Sequence, residues 1–505
     1  MIPNTLVKRA LSHINRWSDE KVAPRIETVG KNLTDRILEV LSRDGNTFTS
    51  IFGGPRQGKT HTLHAIIARL LSNGVPAGQI LFVDFDSVLL RTAELAVVLN
   101  YLHSKDTDSK ARKYIIIDNA HWLDSDQLQS FEKTIRDLEP AHFVLTGSSL
   151  IDWKAKWEGA IKNLEIHKHE VRLPPFHFVD YLNFHGVDAS RFPPLPNLRD
   201  LFKYGEKDFV QLAAKMQALE IHFEKYLCVG AHPAALALGT ETDAQQWTRR
   251  ELIEKVFQQD IPMADKGRTP INISHLFVQL FNHDDLLLDM AQLCKVLKLK
   301  RPQAERHIQM LIRAGLVNRV SPPDYDPKKN RAMHVTLMAE PAILSSLALN
   351  TEEATTPGLS RHSLIGSAVY LHLLWGGQSK GIQIGHGRSK GPKGVQFVTG
   401  IGDRVSAIDV QCLDRKLMAN DLRDMVAYCA KKGIENGYVV TQSFSDFGMD
   451  EFKTDGRMGT SNKLIGPVKI LRIPAALLCY WWGLRANRLR SPKSVTLDRP
   501  ASTEL

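Results

Sequence analysis

Gly53-Gly54-Pro55-Arg56-Gln57-Gly58-Lys59-Thr60 decides the reading of this chain. It is a complete Gly-x-x-x-x-Gly-Lys-Ser/Thr phosphate loop, preceded by Thr49-Ser50-Ile51-Phe52 and followed by His61-Thr62-Leu63-His64-Ala65-Ile66-Ile67. That strand–loop–helix setting gives the pattern its meaning. Glycines let backbone N–H groups wrap a triphosphate, and the following helix turns its positive end toward the phosphates. The spacing assigns Gly53, Gly54, Pro55, Arg56, Gln57, Gly58 and His61 to nucleotide contact, Lys59 to the outer phosphates and Thr60 to Mg²⁺. ATP with Mg²⁺ is the ligand pair this predicts.

Outward from the loop, a helix is expected through Leu33–Leu41, and further strands at Ile80–Phe85, Lys113–Asp118 and His142–Thr146. Lys113-Tyr-Ile-Ile-Ile-Asp118 delivers an acid at the end of an apolar strand, the Walker B pattern, so Asp118 is expected to act on Mg²⁺. Thr146, ending the last of these strands before Gly147-Ser148-Ser149, stands where a polar side chain can sense the γ-phosphate. Strands alternating with helices imply a parallel sheet with its ligand at the carboxyl edge. One residue departs from the usual pattern. Many such ATPases follow the Walker B Asp with Glu, and here Asn119 stands in that place. An amide orients water but cannot take its proton, which implies slow hydrolysis or another acid. Asp84 and Asp86, after the second strand, are the two candidates.

Composition sets the outer limits. A chain of 505 residues is too long for one core and points to about three domains. The 43% apolar and 24% charged residues are those of an ordinary globular chain, which excludes fibrous and disordered classes. Cys228, Cys294, Cys412, Cys429 and Cys479 have no pair spacing, which argues against a disulfide framework or zinc site and fits a reducing cytoplasm. No apolar run reaches the ~20 residues that span a bilayer, so no membrane association is expected. The longest, Ile473–Leu484, reads as a buried strand. The first 18 residues carry Lys8, Arg9 and Arg16 without an acid, as transit peptides do, but few serines. A net charge of +10 favours polyanion partners without locating the charge.

Further segments suggest a family. Leu173-Pro-Pro-Phe-His-Phe-Val-Asp-Tyr-Leu182, Tyr226-Leu-Cys-Val-Gly-Ala-His-Pro233 and Thr146-Gly-Ser-Ser149 resemble motifs of a large group of prokaryotic AAA-like P-loop ATPases. The likeness runs over roughly residues 30 to 480, although this loop lacks the residue usual between Gln57 and Gly58. The resemblance implies an α/β fold: a P-loop NTPase parallel sheet with a helical lid, a winged helix and a C-terminal restriction-endonuclease-like α/β domain of the PD-(D/E)xK type. It implies also that Pro233 sits near the adenine.

Residues 274–349 support a winged helix on their own. Leu276–Phe281, Leu287–Leu297 and Ile308–Leu316 give three helical patterns, the last ending at Gly315, where a helix C-terminus favours glycine. Lys295, Lys298, Lys300, Arg301, Arg306, Arg313 and Arg319 face one acid, Glu305, in this stretch. Such a helix can dock on DNA phosphates, or it can be the solvated face of a lid. Asn350–Gly358 reads as a linker, and Leu364–Trp375 as a helix. The glycine-rich stretch Gly376–Gly394, with Lys380, Arg388, Lys390 and Lys393, is either a backbone-tracking loop or a solvated hairpin.

In the nuclease-like domain of the family the first core strand carries Asp and the second ends Glu-x-Lys. On Val395–Val398 and Val405–Val410 that pattern puts Gln396 in place of the Asp and Asp409-Val410-Gln411 in place of Glu-x-Lys. A glutamine supplies neither the charge a hard dication needs nor an ammonium. A register shift to Asp403 as ligand still leaves no lysine. The site is degenerate on either register. Helix Leu417–Lys432 and strand Gly437–Thr441 complete this core, and Arg485, Arg488, Arg490 and Lys493 open a basic tail.

The expected organisation is an N-terminal helical extension (1–29), P-loop core (30–170), helical lid (171–270), winged helix (271–349), linker (350–361), degenerate nuclease-like domain (362–485) and basic tail (486–505). The expected function is an ATP-binding, ATP-hydrolysing switch that couples nucleotide state to DNA, through Lys295–Arg319 and the basic C-terminal regions, or to a protein partner. An ATP-gated DNA nuclease and a non-hydrolysing nucleotide-bound scaffold are the alternatives. Nothing distinguishes Arg136, Arg249 or Arg250 as an arginine finger, and the oligomeric state stays open.

Overall fold

Asn46–Phe52, directly before the phosphate loop, form strand β1, whose five interior positions are all buried. In the computed structural model, which describes residues 3–15, 17, 31–102, 111–123, 126–128, 134, 136, 138, 140–148, 153–188, 191–264, 271–280, 287–320, 334–347, 360–378, 382–387, 395–401, 404–453 and 467–489, the chain divides into two units. The first comprises residues 1–175 together with the chain from Leu489, and the second runs from Phe176 to Arg488.

In the first unit β1 is joined by β2 (Ile80–Asp84), β3 (Lys113–Asp118), β4 (Ala141–Thr146) and β5 (Ile166–Arg172). The order is β2-β3-β4-β1-β5, and every pairing is parallel. Parallel sheets need cover on both faces, so their strands are nearly continuous apolar runs. Alternate residues of β3 divide accordingly. Ile115 and Ile117 join Phe143, Leu145, Trp153 and Trp157 in one core, whereas Tyr114 and Ile116 join Ile66, Ile67 and Leu70 in the other. Helices α1 (Asn4–Ile14), α2 (Lys31–Leu41), α3 (Lys59–Ser72) and α4 (Trp153–Ala160) supply these faces.

The two sheet edges are handled differently. β5 is polar, with His167, Lys168, His169, Glu170 and Arg172, and its alternation leaves most side chains in solvent. Such an edge strand has no apolar run, which is why the sequence reading stops at four strands. Its end matters nonetheless. Leu173 N–H donates to Phe52 O at 2.7 Å, and Leu173 then lies against Gly53, where a Cβ would meet its carbonyl at 3.1 Å. On the opposite edge, the buried Asn15 side chain accepts from Phe82 N–H at 2.7 Å and donates to Phe82 O at 2.9 Å. One amide thereby stands in for a neighbouring strand.

The second unit opens with helices α5 (Phe178–Phe184), α6 (Glu206–Met216), α7 (Leu219–Val229) and α8 (Glu241–Trp247). The segments that suggested the family meet here: Tyr226 Oη donates to Phe176 O at 3.0 Å, and Phe176 N–H to Ala231 O at 3.1 Å. Helices α9 (Ile271–Gln279), α10 (Met290–Val296) and α11 (Arg301–Arg313) follow, with a three-stranded antiparallel sheet of β6 (Leu287–Asp289), β7 (Asn318–Val320) and β8 (His334–Met338) in the order β6-β8-β7. Leu287–Leu297 is therefore strand and then helix, not one helix. The break falls at Asp289, whose Oδ1 accepts from Ala291 N–H at 2.7 Å and Gln292 N–H at 3.2 Å and so caps α10. Gly315 takes φ +74° after α11, as the sequence anticipates.

Helices α12 (Pro341–Leu347) and α13 (Arg361–Gln378) lead to a six-stranded mixed sheet, β13-β14-β12-β11-β10-β9, built from β9 (Gln383–Gly385), β10 (Phe397–Ile401), β11 (Arg404–Gln411), β12 (Asn436–Thr441), β13 (Gly448–Phe452) and β14 (Val468–Pro474). Helix α14 (Arg423–Lys432) connects the parallel pair β11 and β12, and α15 (Ala475–Leu489) follows β14. Two readings of the sequence change here. Ile473–Leu484 is not a strand, because β14 ends at Pro474 and the Ala- and Leu-rich remainder is helical; a short apolar run does not tell the two apart. Gly376 and Gly377 belong to α13, where a Cβ would meet the Trp482 ring at 2.7 Å and Ile382 at 2.9 Å. Their glycines serve close packing. Lys380, Arg388, Lys390, Lys393, Asp403, Asn350–Gly358 and the tail from residue 490 lie outside the described residues.

Candidate nucleotide site

The site begins with backbone geometry. Gly58 at φ +90° precedes α3, and Arg56 at φ +56° turns the loop before it. A Cβ on Gly58 would have open space around it, so its glycine serves conformation and not packing. Gly54 is glycine for the opposite reason: a Cβ would lie 2.8 Å from Gln57 Nε2. Gln57 is buried and its Oε1 accepts from Gly54 N–H at 2.7 Å, closing the loop on itself. Lys59 folds back along it, Nζ donating to Gly54 O at 2.8 Å and Gly53 O at 3.1 Å. The ring nitrogen Nε2 of His61, in the first turn of α3, is buried without a hydrogen-bond partner among the described residues.

β4 lies between β1 and β3, so the loop, Asp118 and Thr146 share one sheet edge. Asp118 is nearly inaccessible and collects three donors. Thr60 Oγ1 donates to Oδ2 at 2.5 Å, Asn119 N–H to Oδ1 at 2.9 Å, and the Thr146 hydroxyl also to Oδ1. Asn119, at φ +55°, turns off the strand and directs Nδ2 to Asp84 Oδ1 at 2.9 Å. Asp84 is the direct partner of Asp118 across β2 and β3. Asp86 is exposed and pairs with Arg91 at 3.5 Å.

His121 was not singled out from sequence. Its only signal there is its place three residues beyond Asp118. Ser148 N–H donates to His121 Nδ1 at 3.2 Å, so Nδ1 is the acceptor and the proton of the neutral ring is on Nε2. Burial, helped by the positive charges of Lys59 and Arg91 and opposed by Asp118, pushes its pKa down to about 4. The ring is neutral at pH 7. Burial also lowers the pKa of His64 on α3, against the pull of Asp118 and Asp84. Arg91 stacks its guanidinium 3.3 Å from the Trp122 ring centroid and donates to Phe85 O at 3.2 Å, tying the loop after β3 to the end of β2.

Pro233 belongs to the second unit and opens the short helix Pro233–Leu236 after His232. His232 and Glu340 form a buried pair there at 2.6 Å. Gln396, Asp409 and Gln411 come together in the six-stranded sheet. Gln396 N–H donates to Asp409 Oδ1 at 3.1 Å and Gln411 Nε2 to Asp409 Oδ2 at 3.2 Å. Both oxygens of the one carboxylate are thus met by amide donors. Among the described residues no group of three His, Cys, Asp or Glu could hold a metal ion, and no helix is long and apolar enough to cross a membrane. On α11, Arg306, Gln309 and Arg313 lie at i, i+3 and i+7 on an exposed face, while Arg319 donates to Glu305 at 2.6 Å.

Residues 46–182 match a family model described as an AAA domain, which supports an AAA-like P-loop ATPase for that segment. Residues 220–354 match a model described as a domain of unknown function (DUF8612). No curated protein matches the chain. Among solved structures, the chain is similar to the Aeropyrum pernix ORC2 protein in its ADPNP–ADP complexes (TM-score 0.35, 12% identity, 65% of this chain and 93% of that one). It is similar also to a point variant of Thermotoga maritima RuvB (TM-score 0.24, 15% identity, 63% and 90%) and to Drosophila ORC bound to DNA (TM-score 0.24, 12% identity, 68% and 92%). At these scores the superpositions carry no argument about this chain.

Proposed function

We propose that this protein binds ATP with Mg²⁺ at Gly53–Thr60, Asp118 and Thr146, hydrolyses it, and couples its nucleotide state to DNA binding. The observation that carries the reading is the convergence of the Thr60 and Thr146 hydroxyls on Asp118 beside a loop whose own carbonyls hold Lys59. The donor set fits the ligand. A hydroxyl and a carboxylate are hard oxygen ligands suited to Mg²⁺. The ammonium of Lys59, held by the neutral carbonyls of Gly53 and Gly54, is suited to phosphate oxygens, and Gly58 leaves room at the head of α3. Bound Mg²⁺ would neutralise charge growing on the phosphates. Neutral His121 presents an Nε2–H near Lys59, a donor for the terminal phosphate.

The DNA arm of the proposal rests on residues 271–338. Three helices and an antiparallel sheet in the order β6-β8-β7 support a winged helix, with α11 as the groove-facing element. Lys300 and Arg301 at its start and Arg306 and Arg313 along it suit phosphate contact, and Gln303 and Gln309 suit base edges. The mixed sheet with Gln396 and Gln411 around Asp409 supports a nuclease-like domain that has lost catalysis and serves as a binding platform. Plasmid nicking abolished by Asp409→Ala would overturn that last point.

The test is ATP turnover by wild type and Lys59→Ala, each with and without duplex DNA, at two salt concentrations. Turnover stimulated by DNA, lost in the variant and weakened by salt is the expected result. Tight ATP binding without turnover in any condition would replace this reading with a nucleotide-held scaffold, which Asn119 at the end of β3 favours.

A further inference from the structure

We propose that Asp84 on β2 is the catalytic carboxylate of this ATPase and that Asn119 is the residue that positions it, the acid and the amide standing on opposite strands from the arrangement in which an acid follows Asp118. The inference rests on the hydrolysis proposed above.

Among the described residues the geometry favours Asp84 over Asp118 and Asp86. Asp118 is engaged by three donors and is the residue assigned to Mg²⁺. Asp86 is exposed and paired to Arg91. Asp84 is half-buried, directly beside Asp118 in the sheet, and held by two donors on one oxygen only: Asn119 Nδ2 and Asp86 N–H, each 2.9 Å from Oδ1. Its other oxygen, Oδ2, accepts no hydrogen bond among the described residues. A carboxylate fixed through one oxygen with the second open is the form a general base needs. Asn119 has one reason to be an amide at this place. A second carboxylate against Asp84 would repel it, whereas an N–H donor fixes one oxygen and leaves the other open. The left-handed backbone of Asn119 turns its side chain toward β2, and Asn is among the few residues that adopt that conformation readily. His64 in α3 feels both Asp118 and Asp84, which brings the Asp84 charge into range of the phosphate-loop helix.

In the step assigned to it, the water oxygen bonds to the γ-phosphorus. The bond from that phosphorus to the bridging oxygen breaks, its electron pair leaving on ADP. One water proton goes to Asp84 Oδ2 and is later released to solvent, and the other stays on the phosphate.

The experiment compares ATP turnover and ATP affinity in wild type, Lys59→Ala, Asp84→Asn, Asn119→Ala and the exchanged double variant Asp84→Asn/Asn119→Asp. Asp84→Asn should lower kcat by about 10²–10⁴ with ATP affinity within about threefold of wild type. Asn119→Ala, which keeps the base but frees it, should lose about tenfold in kcat at unchanged affinity. The double variant returns the acid to β3 beside an amide on β2 and should recover at least tenfold over Asp84→Asn. A merely structural Asp84 predicts no such rescue. Turnover in Asp84→Asn within threefold of wild type would overturn this assignment while leaving hydrolysis intact. Wild-type turnover no greater than that of Lys59→Ala would overturn the hydrolysis reading and this assignment with it.

Discussion

Replacing Asn15 by alanine should loosen the strand that carries Asp84, although the two residues are far apart in sequence. Asn15 is buried, and its amide satisfies both the N–H and the carbonyl of Phe82, at 2.7 and 2.9 Å, on the open side of β2. Phe82 is itself buried, so water does not replace the lost partners. Each orphaned backbone group costs about 1–3 kcal/mol, which puts the pair at about 2–6 kcal/mol before any loss of α1 packing through Val7 and Leu11. A chain with two units is not expected to unfold in one step, so a global midpoint is the wrong readout. Hydrogen exchange is the right one. A local loss of about 3 kcal/mol corresponds to roughly a hundredfold faster exchange in peptides covering Ile80–Asp84. Asn15→Asp, which keeps the acceptor and loses the donor, should fall between. Exchange in β2 unchanged by Asn15→Ala would refute the claim that this amide holds the edge.

Three further outcomes are expected. Gly54→Ala brings a methyl to 2.8 Å from Gln57 Nε2 and so displaces the amide that accepts from Gly54 N–H; ATP affinity should fall at least tenfold in calorimetric titration. His142 is fully buried, and its pKa is pushed by burial, then by Arg112, from 6.5 down to about 4. Between those values the unfolded chain binds a proton the folded one refuses, so stability falls as pH drops through that window by up to about 1.4 kcal/mol per unit and is unaffected above it. The loss of hydrogen-exchange protection in peptides covering Ala141–Thr146 between pH 7 and 5, corrected for intrinsic exchange, should therefore be smaller in His142→Gln than in wild type. Arg306→Ala with Arg313→Ala should weaken duplex binding and reduce the slope of log affinity against log salt by about 2, as fluorescence anisotropy would register.

The centre of the fold was legible because its physics is local. β3 and β4 are buried on both faces and read as largely apolar runs that end at Asp118 and Thr146, whereas β1, with Thr47, Thr49 and Ser50 among its buried positions, is marked by the phosphate-loop pattern that follows it. The rest depends on partners distant in sequence. β5 is an edge strand whose His-Lys-His-Glu stretch has no pattern of its own until β1 pairs with it. Asn15 is one amide among many until α1 lies along β2. Leu287–Asp289 carried a helical period but pairs with β8 because Asp289 caps the helix after it. Asn119 marked a departure in the sequence, but its hydrogen bond to Asp84 was not visible there, because only the pairing of β2 with β3 joins them. His121 needed Ser148 from the end of another strand.

Calorimetric titration of ATP into wild type and Lys59→Ala, with and without Mg²⁺, tests the central claim most directly. The account predicts one site per chain, tighter with Mg²⁺, and at least tenfold weaker in the variant, a difference of about 1.4 kcal/mol or more. Equal heats in the two proteins, or binding indifferent to both the lysine and the metal, would contradict it.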